Sequence, residues 1–175
     1  MLRHGRYRRG VSEKFWGISK SHADSLTAGK PAIWLHAVSV GEVNLISGLV
    51  KRLEATHPQH QVIISTSTDT GYDLAVKLYG AARVFFCPLD FSWAIKRTLR
   101  NLAPDMLVLA ELELWPNLIR IATNQGCPVM VVNARLSQRS AAGYQRFAFL
   151  TQSTFARLAW VGAQNEQTAA RFVTC

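Results

Sequence analysis

The chain has 175 residues, 49% of them hydrophobic and 18% charged, with a formal net charge of +9. That length suits one domain with a full core and is short for two, and the hydrophobic share excludes a disordered tail. No apolar run approaches the ~20 residues that span a bilayer and no signal-peptide core is visible, so the chain is expected to be soluble, while its positive charge points to an anionic partner: nucleic acid, a phosphorylated substrate or an acidic membrane.

Leu2 to Lys20 carry six Lys or Arg against one Glu, interleaved with Tyr7, Phe15 and Trp16. A solvated terminus is one reading. Cations beside rings also suit a membrane surface, where the charges meet anionic lipid and the rings settle at the interface. Ser21 to Lys30, with Gly29 and no apolar pattern, is expected to be a linker. The division is thus a basic docking and linker segment, 1–30, and a domain, 31–175.

Ala32-Ile-Trp-Leu-His-Ala-Val38 is a short apolar run entered from Pro31 and predicts a buried strand. After it, Val43, Ile46, Leu49, Val50 and Leu53 recur on one helical face, and the helix is expected to stop before Pro58. Ser39-Val-Gly-Glu42 is therefore the turn between strand and helix. In an open parallel sheet that turn lies at the carboxyl edge, where ligands bind and helical N–H groups favour anions. A structural reading stands beside this one: Ser39-x-x-Glu42 is a capping box, in which the glutamate reaches back to the serine N–H, and Gly41 lets the backbone pass close to a neighbour.

The pattern then repeats. Strands are predicted at Gln61–Ser65, Arg83–Cys87, Asp105–Ala110, Pro128–Val132 and Trp160–Ala163. Helices are expected over Tyr72–Tyr79, Ser92–Leu102, Pro116–Gln125, one long segment reaching about Leu158, and a last one capped by Asn165. Pro116 fits the first helical position, where its missing N–H does no harm. Six strands alternating with helices mean a parallel sheet covered on both faces. In the common order 3-2-1-4-5-6 the first and fourth strands are neighbours, so the Ser39–Glu42 turn lies beside Glu111–Asn117, with Asn133–Arg139 next along. The first turn lacks G-x-G-x-x-G, so no dinucleotide cofactor is expected. Cys87, Cys127 and Cys175 have no metal-ligand spacing; the first two read as buried thiols.

Four segments in this order, His36-Ala-Val-Ser-Val-Gly-Glu42, the Thr-rich turn to Gly71, Glu111-Leu-Glu-Leu-Trp-Pro-Asn117 and Asn133-Ala-Arg-Leu-Ser-Gln-Arg-Ser140, resemble the transferases of 3-deoxy-D-manno-octulosonic acid (Kdo). Arg6-Tyr-Arg-Arg9, Pro88-Leu-Asp90, Ala163-Gln-Asn165 and Arg171-Phe172 add to the likeness. It implies a Rossmann-like three-layer α/β domain with a six-stranded, mostly parallel sheet, forming the N-terminal, acceptor-binding half of a GT-B glycosyltransferase. The reaction implied is transfer of Kdo from CMP-Kdo to a lipid A precursor, metal-independent and without a cofactor, at the cytoplasmic face of the bacterial inner membrane. The resemblance implies a donor half outside these 175 residues, so the chain alone is expected to be inactive, and the basic N-terminus is expected to meet an anionic membrane.

Glu42 matches the residue assigned as general base, taking the proton of the attacking acceptor hydroxyl. Acceptor contacts are expected from Ser39, Gly41, Thr68, Thr70, Glu111, Asn133, Arg135 and Arg139, with structural support an alternative for Glu111 and Arg135; His36, at a strand end, reads equally as a structural histidine or a site residue. The arginines suit phosphate or the Kdo carboxylate through bidentate bonds; Glu113 is secondary to Glu111. The turn departs from the family in having Ser65 where Thr is commoner and Asp69 where Pro is commoner. Two rivals stand: a basic nucleic-acid-binding α/β domain, which would cluster its cations in a groove, and another two-domain sugar-nucleotide enzyme such as an epimerase.

Overall fold

A computed structural model describes residues 9–111 and 114–174, apart from the side chain of Leu150; expectations placed on Arg6, Tyr7, Arg8, Glu113 and Cys175 lie outside them. Its elements are α1 (Val11–Trp16), α2 (Lys20–Thr27), β1 (Ala32–His36), α3 (Val40–Leu45), α4 (Ser47–Thr56), β2 (Gln61–Thr66), α5 (Asp69–Tyr79), β3 (Val84–Phe86), α6 (Ser92–Leu102), β4 (Met106–Ala110), α7 (Pro116–Asn124), β5 (Val129–Ala134), α8 (Gln138–Arg146), α9 (Ala148–Phe155), β6 (Leu158–Ala163) and α10 (Glu166–Val173). The strands form one sheet in the order β3-β2-β1-β4-β5-β6, and every pairing is parallel. The order is the expected one.

Every residue of β1 is buried, because both faces of a central parallel strand are covered. Alternation sorts the side chains. Trp34 joins Leu26, Phe85, Leu99 and Leu118 on one face of the sheet, while Ile33 and Leu35 join Val43, Val50 and Ala75 on the other. Cys87 and Cys127 are buried thiols, and burial pushes the Cys127 thiol up to about 11, which leaves it protonated and unreactive.

The structure corrects the reading of the N-terminal segment. The stretch expected to be a linker contains α2, whose Ala23 and Leu26 are buried in the same core as Trp34. Two apolar positions three residues apart make too short a pattern to show helical periodicity; packing against the sheet decides it. Ile18 is fully buried too, with its N–H donating to Thr98 Oγ1 at 3.1 Å. Residues 18–27 therefore belong to the folded core.

The helix expected after β1 is divided at Ile46, which ends α3 with its N–H shared between Glu42 and Asn44 carbonyls. The long segment after β5 likewise divides at Phe147 (φ −110°, ψ 32°) into α8 and α9. The helix α5 starts three residues before the predicted Tyr72, because Thr68 supplies its cap.

Candidate active site

The chain reverses its order between β1 and β4, and helices leaving those strands diverge to open a crevice at the carboxyl edge. His36 pairs in register with Ser65 of β2 and Leu109 of β4. The turns that follow His36 and Ala110 therefore start side by side.

Glu42 lies in the first turn of α3 and is 8% exposed. Its Oε2 accepts the Val38 N–H at 2.7 Å, and its Oε1 accepts the Ser39 hydroxyl at 3.1 Å. The capping box thus forms only in part: the glutamate turns back to Val38 rather than Ser39, and the serine makes no side-chain cap on α3. With its hydroxyl given to the carboxylate, Ser39 acts as an orienting donor. Charge-assisted bonds of this kind hold a carboxylate more firmly than neutral ones.

Gly41 does not serve a close approach of the protein backbone. A Cβ built there meets nothing nearer than Ser39 Oγ at 3.9 Å, so its missing side chain leaves open space at the ligand edge. Close approach occurs instead at Gly71, where a Cβ would lie 2.8 Å from Thr68 Oγ1 and 3.3 Å from the Val38 carbonyl. Thr68 Oγ1 accepts the Gly71 N–H and donates to Val38 O, both at 3.1 Å. Val38 is consequently gripped from both sides, its N–H by Glu42 and its carbonyl by Thr68. Thr70 stands exposed in the first turn of α5.

His36 is fully buried beneath the crevice. Its Nδ1 is 2.8 Å from Ser65 Oγ, which also accepts the Trp34 indole N–H at 2.7 Å. The ring meets Trp115 edge to face with centroids 5.8 Å apart, and Nε2 is buried without a hydrogen-bond partner. Burial lowers its pKa to about 4, against the bond to the Ser65 backbone. The imidazole is therefore neutral at physiological pH.

Glu111 directly follows β4 and Asn133 is the penultimate residue of the adjacent β5, and both are non-glycine residues with left-handed backbones, φ 56° and 53°. Such conformations cost on the order of 1–2 kcal/mol each and persist where the surroundings over-determine them. Glu111 donates its N–H to Val132 O at 2.9 Å, and its Oε1 lies 3.7 Å from Arg135 Nε. Asn133 Oδ1 accepts from Gln164 at 2.9 Å. Arg139 is exposed in the first turn of α8, whose own cap is Ser137. Among the described residues no group of three His, Cys, Asp or Glu is placed to hold a metal ion.

Asp90, which the sequence reading quoted only as part of the family likeness, has a role that reading did not assign. It leaves the β3–α6 loop and accepts the N–H groups of Asn117 at 3.0 Å and Leu118 at 2.8 Å, so it caps α7 from a distant part of the chain. Burial is the largest influence on its carboxyl and holds it above the usual carboxylate range, despite those two hydrogen bonds. A signal was available. The residue before Pro116 is Trp115, which has no oxygen with which to cap, so a cap had to come from elsewhere.

Comparison with known proteins sets this geometry in a lineage. A family model described as 3-deoxy-D-manno-octulosonic-acid transferase (kdotransferase) matches residues 6–175. A bifunctional glycosyltransferase/methyltransferase of Fusobacterium nucleatum is 39% identical over 145 residues, covering 81% of this chain and 22% of the relative. A 3-deoxy-D-manno-octulosonic acid transferase of Haemophilus influenzae is 30% identical over 97% of this chain and 39% of its own length. The chain therefore spans well under half the length of these relatives. Among solved structures, a candidate UDP-N-acetylglucosamine 2-epimerase from Listeria monocytogenes superposes with a TM-score of 0.58 at 12% identity, over 83% of this chain and 41% of that one. At that identity the likeness concerns the fold alone.

Proposed function

This chain belongs to the Kdo transferase family of glycosyltransferases, and we propose that it is the acceptor-binding half of a GT-B enzyme that moves Kdo from CMP-Kdo to a lipid A precursor in lipopolysaccharide synthesis. The observation that carries the reading is the Glu42 carboxylate, nearly buried in the turn beside the switch-point crevice and oriented by Val38 N–H and Ser39 O–H. The acceptor hydroxyl attacks the anomeric carbon of CMP-Kdo, the bond to the CMP phosphate breaks, and Glu42 takes the hydroxyl proton. A sugar alcohol is a weak nucleophile, and a positioned base contributes roughly 10²–10⁴-fold.

The other residues bind and orient. Arg135 and Arg139 carry exposed guanidinium groups at one end of the crevice, suited to the acceptor phosphates or the Kdo carboxylate. Glu111, Asn133 and Thr70 offer polar contacts, and the open space at Gly41 gives the acceptor room beside the Glu42 turn. Thr68 and His36 act behind these, one holding Val38 and the other lying under Trp115. A nucleic-acid reading is disfavoured by the carboxylates of Glu42 and Glu111 at the ligand edge, which would repel phosphates.

Labelled protein titrated with a bisphosphorylated glucosamine disaccharide, and separately with CMP, tests the proposal. The expected result is amide shifts at 36–42 and around Glu111 and Asn133 with the disaccharide and small ones with CMP. Strong CMP shifts without any from the disaccharide would make this the donor half instead.

We further propose that the same edge meets the anionic inner leaflet. No helix among the described residues is long and apolar enough to cross a membrane. Phe15, Trp16, Phe91 and Trp93, however, are 38–59% exposed. Phe91 and Trp93 stack at 4.7 Å, and the Trp93 indole donates to Phe15 O at 2.9 Å. The helix α1 that carries two of them is tied to the carboxyl end of β3 through Glu13 and the Phe86 N–H. Exposed rings, with Lys96 and Arg97 exposed on the same helix α6 as Trp93, suit an anionic lipid surface. Sedimentation with phosphatidylglycerol vesicles should show binding that falls with salt and with Trp16→Ser; equal partition onto neutral vesicles, unchanged by salt, would refute it.

A further inference from the structure

Glu111 leaves β4 at the crevice with its N–H on Val132 O at 2.9 Å, and the chain described from Leu114 onward leads into α7. Glu111 has a left-handed backbone, and α7 opens on Trp115 and Pro116 without a side-chain cap from its N-cap residue. Its position is set from other strands. Asp90, from the β3–α6 loop, accepts the first two amides that α7 has to offer, at 3.0 and 2.8 Å. Asn117 returns its Nδ2–H to the Asp90 carbonyl at 2.8 Å, and its Oδ1 accepts from Ser92 Oγ at 3.2 Å and Arg120 at 2.8 Å. On the other side of Pro116, the Trp115 ring meets the buried His36 of β1. The start of α7 is thus clamped at two points, one on each side of the proline.

We infer that Asp90 is a positioning residue of the acceptor crevice: by capping α7 from across the sheet edge, it fixes the helix start that lies on the C-terminal side of Glu111. The inference rests on the functional reading above for what the crevice binds. It has a second consequence. The N-terminus of a helix of this length attracts anions, and here the protein's own carboxylate occupies it. Phosphates of the acceptor are thereby left to Arg135 and Arg139, on the β5 side of Glu111.

The test compares the wild type with Asp90→Ala and Asp90→Asn. The readouts are hydrogen exchange at Asn117 and Leu118, the Glu111 amide shift, and affinity for the bisphosphorylated glucosamine disaccharide. Asp90→Ala should speed exchange at both amides, move the Glu111 signal and weaken the disaccharide about tenfold, the size expected for one lost cap. Asp90→Asn keeps one of the two acceptor oxygens that Asn117 and Leu118 use and sets an NH2 against the other amide, so it should recover part of the affinity. Faster exchange at Asn117 and Leu118 with the Glu111 signal and affinity unchanged would reduce Asp90 to a structural cap and overturn the inference. If Asp90→Ala does not fold, Asn117→Ala, which removes the reciprocal bonds, is read in the same way. If the wild type itself does not bind the disaccharide, the functional reading fails, and positioning is judged on the Glu111 shift alone: an unmoved signal in Asp90→Ala, or in Asn117→Ala where Asp90→Ala does not fold, overturns it.

Discussion

Replacing Glu42 by Gln is expected to lower Kdo transfer by about 10²–10⁴-fold, the range of a positioned general base, while leaving the fold intact. The measurement belongs in the complete two-domain enzyme, since this chain is proposed to supply only the acceptor side. Gln is close to Glu in volume and keeps a carbonyl oxygen for the Val38 N–H, so the turn held by that bond at 2.7 Å has its main tie preserved. What is lost is the charge and the ability to accept a proton. The loss should therefore fall on kcat and leave acceptor KM nearly unchanged, the pattern of an interaction made only in the transition state. Thermal unfolding should be close to wild type. Transfer within tenfold of wild type in a well-folded Glu42→Gln enzyme would remove Glu42 from the role of base and shift attention to Glu111 across the crevice.

The second large effect is on stability and lies in acid. His36 is fully buried with a pKa of about 4, against 6.5 in the unfolded chain. Because the folded value is the lower one, the unfolded state binds more protons between pH 6.5 and 4. Stability is therefore fully present above pH 6.5 and is lost as pH falls through 4. The separation corresponds to about 3 kcal/mol, a large share of the stability of an ordinary domain. Denaturant unfolding at pH 7, 5.5 and 4 measures it. His36→Asn, which can still reach Ser65 but does not titrate, should be less stable throughout and show a shallower decline with acid. Only the difference in slope is read, so the cost of the smaller side chain drops out. Parallel slopes for the two proteins would mean that the imidazole is not the titrating group. Asp90 works in the opposite sense: burial raises its carboxyl above the usual range, so the contribution of that group falls as pH rises through its titration.

Both residues show what could be read from the chain and what could not. The apolar runs around Trp34, Ile63, Leu107 and Val131 are long enough, and regular enough in their alternation with helices, to dictate a parallel sheet covered on both faces. The order of those strands is not legible in the sequence; the common order 3-2-1-4-5-6 is an assumption there, and the structure has that order. The motif turns fall at one edge of a parallel sheet on sequence alone, and the family follows from their order. Local chemistry also fixes several caps: Asn165 accepts the Thr168 N–H at 2.8 Å, as its place before a helix predicts.

Tertiary structure decided whatever depends on partners distant in the chain. Residues 18–27 have no pattern of their own, and they become part of the core because Ile18, Ala23 and Leu26 find a place against Trp34 and Phe85. Ser39 and Glu42 read as a reciprocal cap, but the Val38 amide, held from its other side by Thr68, takes the glutamate instead. His36 is equally plausible on paper as a ligand or a core residue; its position under Trp115 makes it buried and neutral. Asp90 has no sequence neighbour to cap, and its partners lie 27 and 28 residues away. Local propensity acts within a few residues, whereas burial and hydrogen-bond satisfaction are set by the assembled sheet. The sequence alone determined the sheet, its carboxyl edge as the candidate site and the family; the assembled structure alone decided which side chains at that edge are buried beneath it and which are exposed.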